Sequence, residues 1–141
     1  MTPEKINLIK SSWSYVITHS EQAGELFYQK LFETAPHLRP MFKGDVREQS
    51  QKLISMVTVV ITKLDKLEQI LPEVAALAKR HVKYGVNKNH FPVVGGALIW
   101  TLEQGLAERW TPQLKAAWVE VYEILSKAMI TAMEEELSLA A

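Results

Sequence analysis

Apolar residues recur every three or four positions along most of the chain, which is the spacing of one face of an α-helix. Six stretches show this pattern, and their apolar stripes lie within residues 6–17, 23–31, 46–64, 74–85, 94–102 and 114–132. Polar and charged residues occupy the positions between them, as they do on the outer face of a helix packed on a core. The pattern therefore predicts an all-α chain with six main helices.

Prolines indicate where these helices begin and end, since proline is tolerated in the first helical turn and disrupts the interior. Thr2 and Thr111 each precede a proline and are predicted to cap the first and last helices. The second helix should end near Ala35, because a residue before proline avoids the helical region. The fourth helix is predicted to follow Pro72, and the fifth to begin at Pro92.

The third stretch allows two interpretations. Residues 56–62 are rich in β-branched side chains and, taken alone, could form a strand. The flanking segments are good helix formers and the apolar stripe continues through both, so we favour a helix that begins at Asp45 or Val46. The preceding residues 37–45 are expected to form an irregular corner that holds Met41 and Phe42.

The composition narrows the chemistry. The 141 residues are expected to form one domain, and there is no cysteine, so disulfides, cysteine-ligated metals and thiol nucleophiles are excluded. The formal net charge is zero, which argues against a nucleic-acid partner. The longest uncharged run, residues 89–102, is too short to span a membrane, and residues 1–5 do not resemble a secretory signal. We therefore expect a soluble, cytoplasmic protein whose metal chemistry, if any, depends on histidine or carboxylate.

Three polar residues lie on or beside the apolar stripes, namely Tyr28, Gln49 and His81. Each has an ordinary explanation: Tyr28 as packing, Gln49 as a solvated first-turn residue and His81 as a hydrogen-bonded core histidine. Burying such groups without partners costs about 1–3 kcal/mol each, so together they either satisfy one another or face a polar ligand. His81 and His90 do not have the spacing of a helical zinc site.

The order of several short segments is informative where each alone is not. The segments that carry the signal are residues 26–32, 36–42, 49–53, 80–86, 90–96 and 116–122. In this order and spacing they resemble the globin family, in particular single-domain bacterial globins, the haem domain of flavohaemoglobins and neuroglobin-like proteins. The resemblance covers nearly all of residues 1–141 and implies a single globin domain. Its fold would be a three-over-three helical sandwich with short corner helices, and its cofactor haem b.

On the proximal side, the resemblance implies that His81 ligates the haem iron, and the Leu77 carbonyl one turn back is a natural partner for its second nitrogen. Tyr122 matches a tyrosine that flavohaemoglobins place near this histidine. The accompanying carboxylate position falls on Met133, and only a shift of one residue would bring in Glu134.

Around the rest of the haem, the resemblance implies that Phe42 packs on the porphyrin and that Leu53 forms part of the distal wall. Lys52 and Arg80 are candidates for the haem propionates, although both could equally be ordinary surface charges.

Tyr28 and Gln49 match the distal pair, which would donate hydrogen bonds to bound O₂. Two such bonds together are expected to contribute about 2–4 kcal/mol, which slows O₂ release roughly 30- to 1,000-fold. We therefore expect a tight O₂ binder that also takes NO and CO, with Tyr28 and Gln49 as catalytic residues if the protein is an enzyme.

Three functions remain open at this point. The first is NO dioxygenation, with electrons from a separate reductase because the chain shows no flavin or nicotinamide domain. The second is O₂ storage, scavenging or sensing without catalysis. The third is a haem-free interaction module with a globin-like fold.

Overall fold

The computed structural model of the protein describes residues 1–42 and 44–140. Six α-helices follow one another: α1 (Pro3–Val16), α2 (Ser20–Thr34), α3 (Val46–Thr62), α4 (Leu67–Lys83), α5 (His90–Leu106) and α6 (Pro112–Ala140). Short 3₁₀ helices cover Ile17–His19, Pro36–Met41, Leu64–Lys66 and Ala107–Arg109. There is no strand in the described part of the chain. The all-α prediction is confirmed, including a helical segment 56–62.

Three of the predicted helix starts, those of α1, α3 and α6, are held by side-chain caps. Thr2 Oγ1 accepts a hydrogen bond from the Lys5 N–H at 3.2 Å, and Thr111 Oγ1 accepts one from the Leu114 N–H at 3.1 Å. Asp45 caps α3 in the same way. Each cap satisfies a backbone donor that has no partner within the helix.

Two predicted helix starts differ from the observed ones. Helix α4 does not follow Pro72 but begins at Leu67, so that Pro72 lies inside the helix with its ring exposed. The additional turn is anchored by Ile70, which is 1% exposed, and by Leu64 just before it, which is 2% exposed. Burial of these two side chains opposes the helix-breaking effect of the proline. Helix α5 likewise begins at His90, two residues before Pro92, which still lies within its first turn.

The buried side chains form three clusters. The central cluster joins α1, α3, α5 and α6 around Trp13 and Trp118, whose rings lie 5.9 Å apart. The tyrosine cluster joins α2, the 36–41 corner and α5 around Tyr28. The α4–α6 cluster contains Ala78 and Met133.

The tyrosine cluster and the α4–α6 cluster are separate. Helix α3 packs on α2, and α4 packs on α6, but α3 and α4 are not packed extensively on each other. Several apolar side chains of α3, including Leu53, Met56 and Val60, are only half-buried as a result. None of the described helices combines the length and apolar character needed to cross a membrane.

Candidate functional site

His81 lies near the end of α4, and one of its ring nitrogens is already engaged. Nδ1 is 2.7 Å from the carbonyl oxygen of Leu77, the partner expected from the sequence. A carbonyl can only accept, so Nδ1 carries the hydrogen and donates it. In the neutral ring Nε2 is therefore the nitrogen with a free lone pair, which is the form that binds a metal. The imidazole is half-buried.

Tyr28 is enclosed by other aromatic rings on α2 and the following corner. Its ring lies 5.0 Å from Phe27, 5.8 Å from Phe32 and 5.4 Å from Phe42, measured between centroids. The residue is 5% exposed, and burial raises the pKa of its hydroxyl to about 12. At neutral pH the hydroxyl is therefore a hydrogen-bond donor.

The structure brings the Tyr28 hydroxyl to the backbone of Gln49. The Tyr28 hydroxyl donates to the backbone carbonyl of Gln49 at 3.4 Å, across the contact between α2 and α3. This distance is long for an O–H···O bond, so the bond is weak and the hydroxyl can turn to another acceptor at little cost in free energy.

The close approach of α2 and α3 depends on two residues that the sequence interpretation missed. A Cβ added at Gly24 would lie 2.5 Å from the Cβ of Ser50, so only glycine fits there. Tyr28 follows Gly24 by one helical turn, and Gln49 precedes Ser50. The Ser50 hydroxyl is buried and finds no hydrogen-bond partner in the described part of the chain. A glycine inside a helix is unfavourable, and that is the signal by which the sequence could have indicated Gly24.

Other predicted site residues lie on α3, on α4 and in the corner after α2. Phe42 and Leu53 are half-buried and pack on the tyrosine cluster. Lys52 on α3 and Arg80 on α4 are exposed, and neither forms an ion pair with another described residue.

Tyr122 is tied to α5. Its hydroxyl donates to the Phe91 carbonyl at 2.7 Å, and a Cβ added at Gly95 would lie 2.6 Å from its ring. Burial raises the pKa of Tyr122 above its ordinary value. Phe91 packs on the α4–α6 cluster, so its hydrogen bond ties Tyr122 to a residue of that cluster.

Glu134, near the end of α6, does not join the α4–α6 cluster. Met133 is 3% exposed and packs in the α4–α6 cluster, whereas the neighbouring Glu134 is exposed. Helix α6 is therefore not shifted by one residue, and Glu134 does not take the place of Met133 in the cluster.

These residues fit a haem. The Nδ1 atom of His81 is engaged by Leu77, which leaves Nε2 to bind an iron, and the half-buried face of α3 offers an apolar surface. The corner after α2 approaches the turn after α4, because a Cβ added at Gly85 would lie 4.0 Å from the Met41 methyl group. Lys52 and Arg80 are exposed cations that suit the carboxylates of a porphyrin. No group of three or more histidine, aspartate or glutamate side chains suited to a metal ion occurs in the described ranges.

Three curated relatives resemble this chain. A globin-like protein of Aquifex aeolicus is 29% identical over 97% of this chain and 96% of its own length. The anaerobic nitrite reductase GLB0 of Physcomitrium patens is 26% identical over 97% of this chain and 84% of its own length. The flavohemoprotein of Bacillus subtilis is 27% identical over 89% of this chain, which spans only 32% of that protein.

A solved structure and a family profile give the same result. The bacterial globin of Campylobacter jejuni superimposes with a TM-score of 0.85 at 25% identity, covering 97% of this chain and 99% of the other. The profile of the globin family matches residues 25–130, which is most of the chain. The fold has the globin arrangement of helices, and the family binds haem and small gaseous ligands. The chain belongs to the globin family.

Proposed function

We propose that residues 1–141 act as one globin domain that holds haem b through His81 and binds O₂ tightly beside Tyr28 and Gln49 for the dioxygenation of NO. Haem, when bound, supplies an iron centre that takes O₂, NO or CO and changes its oxidation state. The observation that carries the proposal is the pairing of two features: a histidine whose Nδ1 is held by Leu77, and a buried tyrosine hydroxyl at Gln49.

The chain's own residues would bind the haem, orient its histidine ligand and shield the ligand side from water. The Leu77 carbonyl fixes the ring orientation of His81 and places the hydrogen of the neutral ring on Nδ1. Phe42 and Leu53 provide apolar surface that excludes water from the ligand side. Lys52 and Arg80 would hold the propionates at the exposed edge.

Tyr28 determines how long a ligand stays. Its hydroxyl keeps its proton at neutral pH and needs only to turn away from the Gln49 carbonyl to donate to a ligand. A hydrogen bond to a negatively polarised group contributes about 1.5–3 kcal/mol, which lengthens O₂ residence at least tenfold. Long residence hinders oxygen delivery and favours a reaction with a second molecule.

The second molecule in this proposal is NO, and the likeness to a flavohemoprotein, whose name denotes both flavin and haem, supports a separate reductase as the source of electrons. The likeness to an anaerobic nitrite reductase makes nitrite the second substrate to test. Storage or scavenging of O₂ is the alternative if neither substrate is turned over.

Visible spectra of the purified protein in the ferric, deoxy, O₂ and CO forms test haem binding. We expect a Soret band for the wild type and for His37→Ala, an exposed histidine that serves as the control, and its loss in His81→Ala. A protein that takes up no haem would overturn the proposal. A six-coordinate deoxy spectrum would contradict an open ligand site.

Stopped-flow release of O₂ tests the tyrosine. Tyr28→Phe should release O₂ at least tenfold faster, because the substitution removes only the hydroxyl and with it the hydrogen bond to bound O₂. An unchanged rate would remove Tyr28 from the site.

Addition of NO to the oxygenated protein tests the reaction and should give nitrate. With a reductase present, NO should give nitrate over repeated turnovers, and nitrite is tested as a substrate in the same assay. A single stoichiometric reaction would point to a carrier.

A further inference from the structure

A groove of about 650 Å³ lies between α5 and α6 and opens to solvent. Apolar side chains form much of its lining, among them Ile99 and Trp100 on α5 and Val119 and Ile130 on α6. All four are only half-buried, so the described chain leaves much of their apolar surface uncovered. Apolar surface gathered in a groove is a feature of surfaces that bind something else.

Two adjacent glycines in the groove have different explanations. Gly95 is required within the chain, because the Tyr122 ring occupies the space of a side chain there. Gly96 is exposed, and a Cβ added to it would meet no atom within 4 Å. A helix-interior glycine costs about 0.5–1 kcal/mol relative to alanine, and no contact within the chain accounts for Gly96. Its effect is to deepen the groove.

The charges in the groove are balanced. Two lysines, Lys88 and Lys115, and two glutamates, Glu103 and Glu123, line it. None of the four forms an ion pair with another described residue, although such pairs occur elsewhere on the surface. A partner of one charge sign would match only half of them. A second copy of the same surface supplies both signs in equal number, and the net charge of zero means that two copies do not repel each other.

We propose that this groove receives α6 of a second copy of the chain, in a twofold dimer. A twofold interface uses the same surface on both copies, so each copy's lysines can face the other's glutamates. Val119 and Ile130 lie on α6 and line the groove, so the helix that inserts also brings apolar side chains. The inference goes beyond the proposed function and does not depend on bound haem.

Sedimentation of the purified protein tests the state of association. We expect a species of twice the 16.0 kDa chain mass that shifts to the monomer on dilution. Gly96→Leu should weaken the dimer at least tenfold by filling the groove. Gly105→Leu is the matched control, because Gly105 is also an exposed α5 glycine with open space around it, and it does not line the groove.

Charge exchange tests the pairing without assuming which lysine meets which glutamate. One variant carries Lys88→Glu and Lys115→Glu, and the other carries Glu103→Lys and Glu123→Lys. Each alone should dissociate at least tenfold more readily than the wild type because like charges meet. An equimolar mixture of the two should associate again as a mixed dimer, and added salt should weaken it.

Several results would overturn the proposal. The wild type could stay monomeric at about 1 mM, a concentration at which an association of only about 4 kcal/mol is half complete. The dimer could form but ignore both Gly96→Leu and the charge exchange, which would place its interface elsewhere. A monomer whose groove residues show shifted amide resonances on adding the apolar dye anilinonaphthalene sulfonate would make the groove a small-molecule site. Circular dichroism establishes that each variant is folded before it is scored.

Discussion

Tyr28 combines deep burial with a hydroxyl that remains available. The aromatic rings around it remove the phenol from water, and this disfavours its charged form. The hydroxyl meanwhile has only a long hydrogen bond to the Gln49 carbonyl. The side chain is thus held as a neutral donor, which is the form needed to hold a negatively polarised ligand.

This burial predicts a pH dependence of stability. The pKa of Tyr28 rises from 10.0 to about 12 on folding, so the unfolded chain loses this proton first as the pH rises. The stability linked to Tyr28 is complete below pH 10 and is lost between pH 10 and about 12, amounting to roughly 2–3 kcal/mol.

Denaturant unfolding of the apoprotein at several pH values checks this prediction. The difference in unfolding free energy between wild type and Tyr28→Phe should change by that amount over the interval. Tyr122, whose pKa burial also raises, is present in both proteins and cancels in the difference. A constant difference would contradict the assigned burial.

The crossing of α2 and α3 is set by Gly24 and Ser50. We predict that Gly24→Ala destabilises the protein by about 1–3 kcal/mol, because the new methyl group needs space that the Ser50 Cβ occupies. The helices must separate, so Tyr28 should also move away from Gln49 and O₂ release should accelerate. Unfolding and stopped-flow measurements report the two effects. Gly105→Ala, where the space is open, should be neutral or slightly stabilising.

Helix α4 contains a proline that its packing overrides. We predict that Pro72→Ala raises the unfolding free energy by about 1–3 kcal/mol. The substitution removes a ring that clashes with the preceding helical turn, and it restores a backbone N–H that can donate within the helix. Thermal unfolding measures the change. A loss of stability would instead show that the helix relies on the proline to limit the unfolded chain.

On the scale of the whole molecule, the core is divided in the region of α3 and α4, where we propose that haem binds. The tyrosine cluster and the α4–α6 cluster are joined through other elements, while α3 and α4 are not packed extensively on each other. A flat apolar group between these helices would cover half-buried side chains on α3 and connect the two clusters.

Haem should therefore stabilise the fold strongly. At 100 times its dissociation constant, a ligand that binds only the folded state adds about 2.7 kcal/mol, so the Tm of the apoprotein should rise by several degrees when haem is added. His81→Ala should lose most of the rise, and His37→Ala should keep it. Calorimetry with and without haem gives the comparison, and an equal rise in both variants would contradict His81 as the ligand.

Much of the fold could be predicted from residue order. The apolar period of 3.6 identifies the helices, and Thr2, Asp45 and Thr111 identify three of their starts, because these signals are local. Pro72 misled the prediction for the opposite reason. Its local preference is overcome by the burial of Ile70 and Leu64, and burial depends on residues distant in the chain.

The candidate site divides in the same way. The resemblance to the globin family proposes His81, Tyr28 and Gln49 as site residues, and their roles stay predictions. The sequence also named Leu77 as the partner of His81, since a carbonyl one turn back is fixed by helix geometry, and this contact is confirmed. Only the packed helices showed three further features: the importance of Gly24 and Ser50, the attachment of Tyr122 to Phe91, and the burial of Met133 instead of Glu134. Each depends on the separation or rotation of two helices. That quantity is decided by how their surfaces fit together, and no local pattern of residues specifies it.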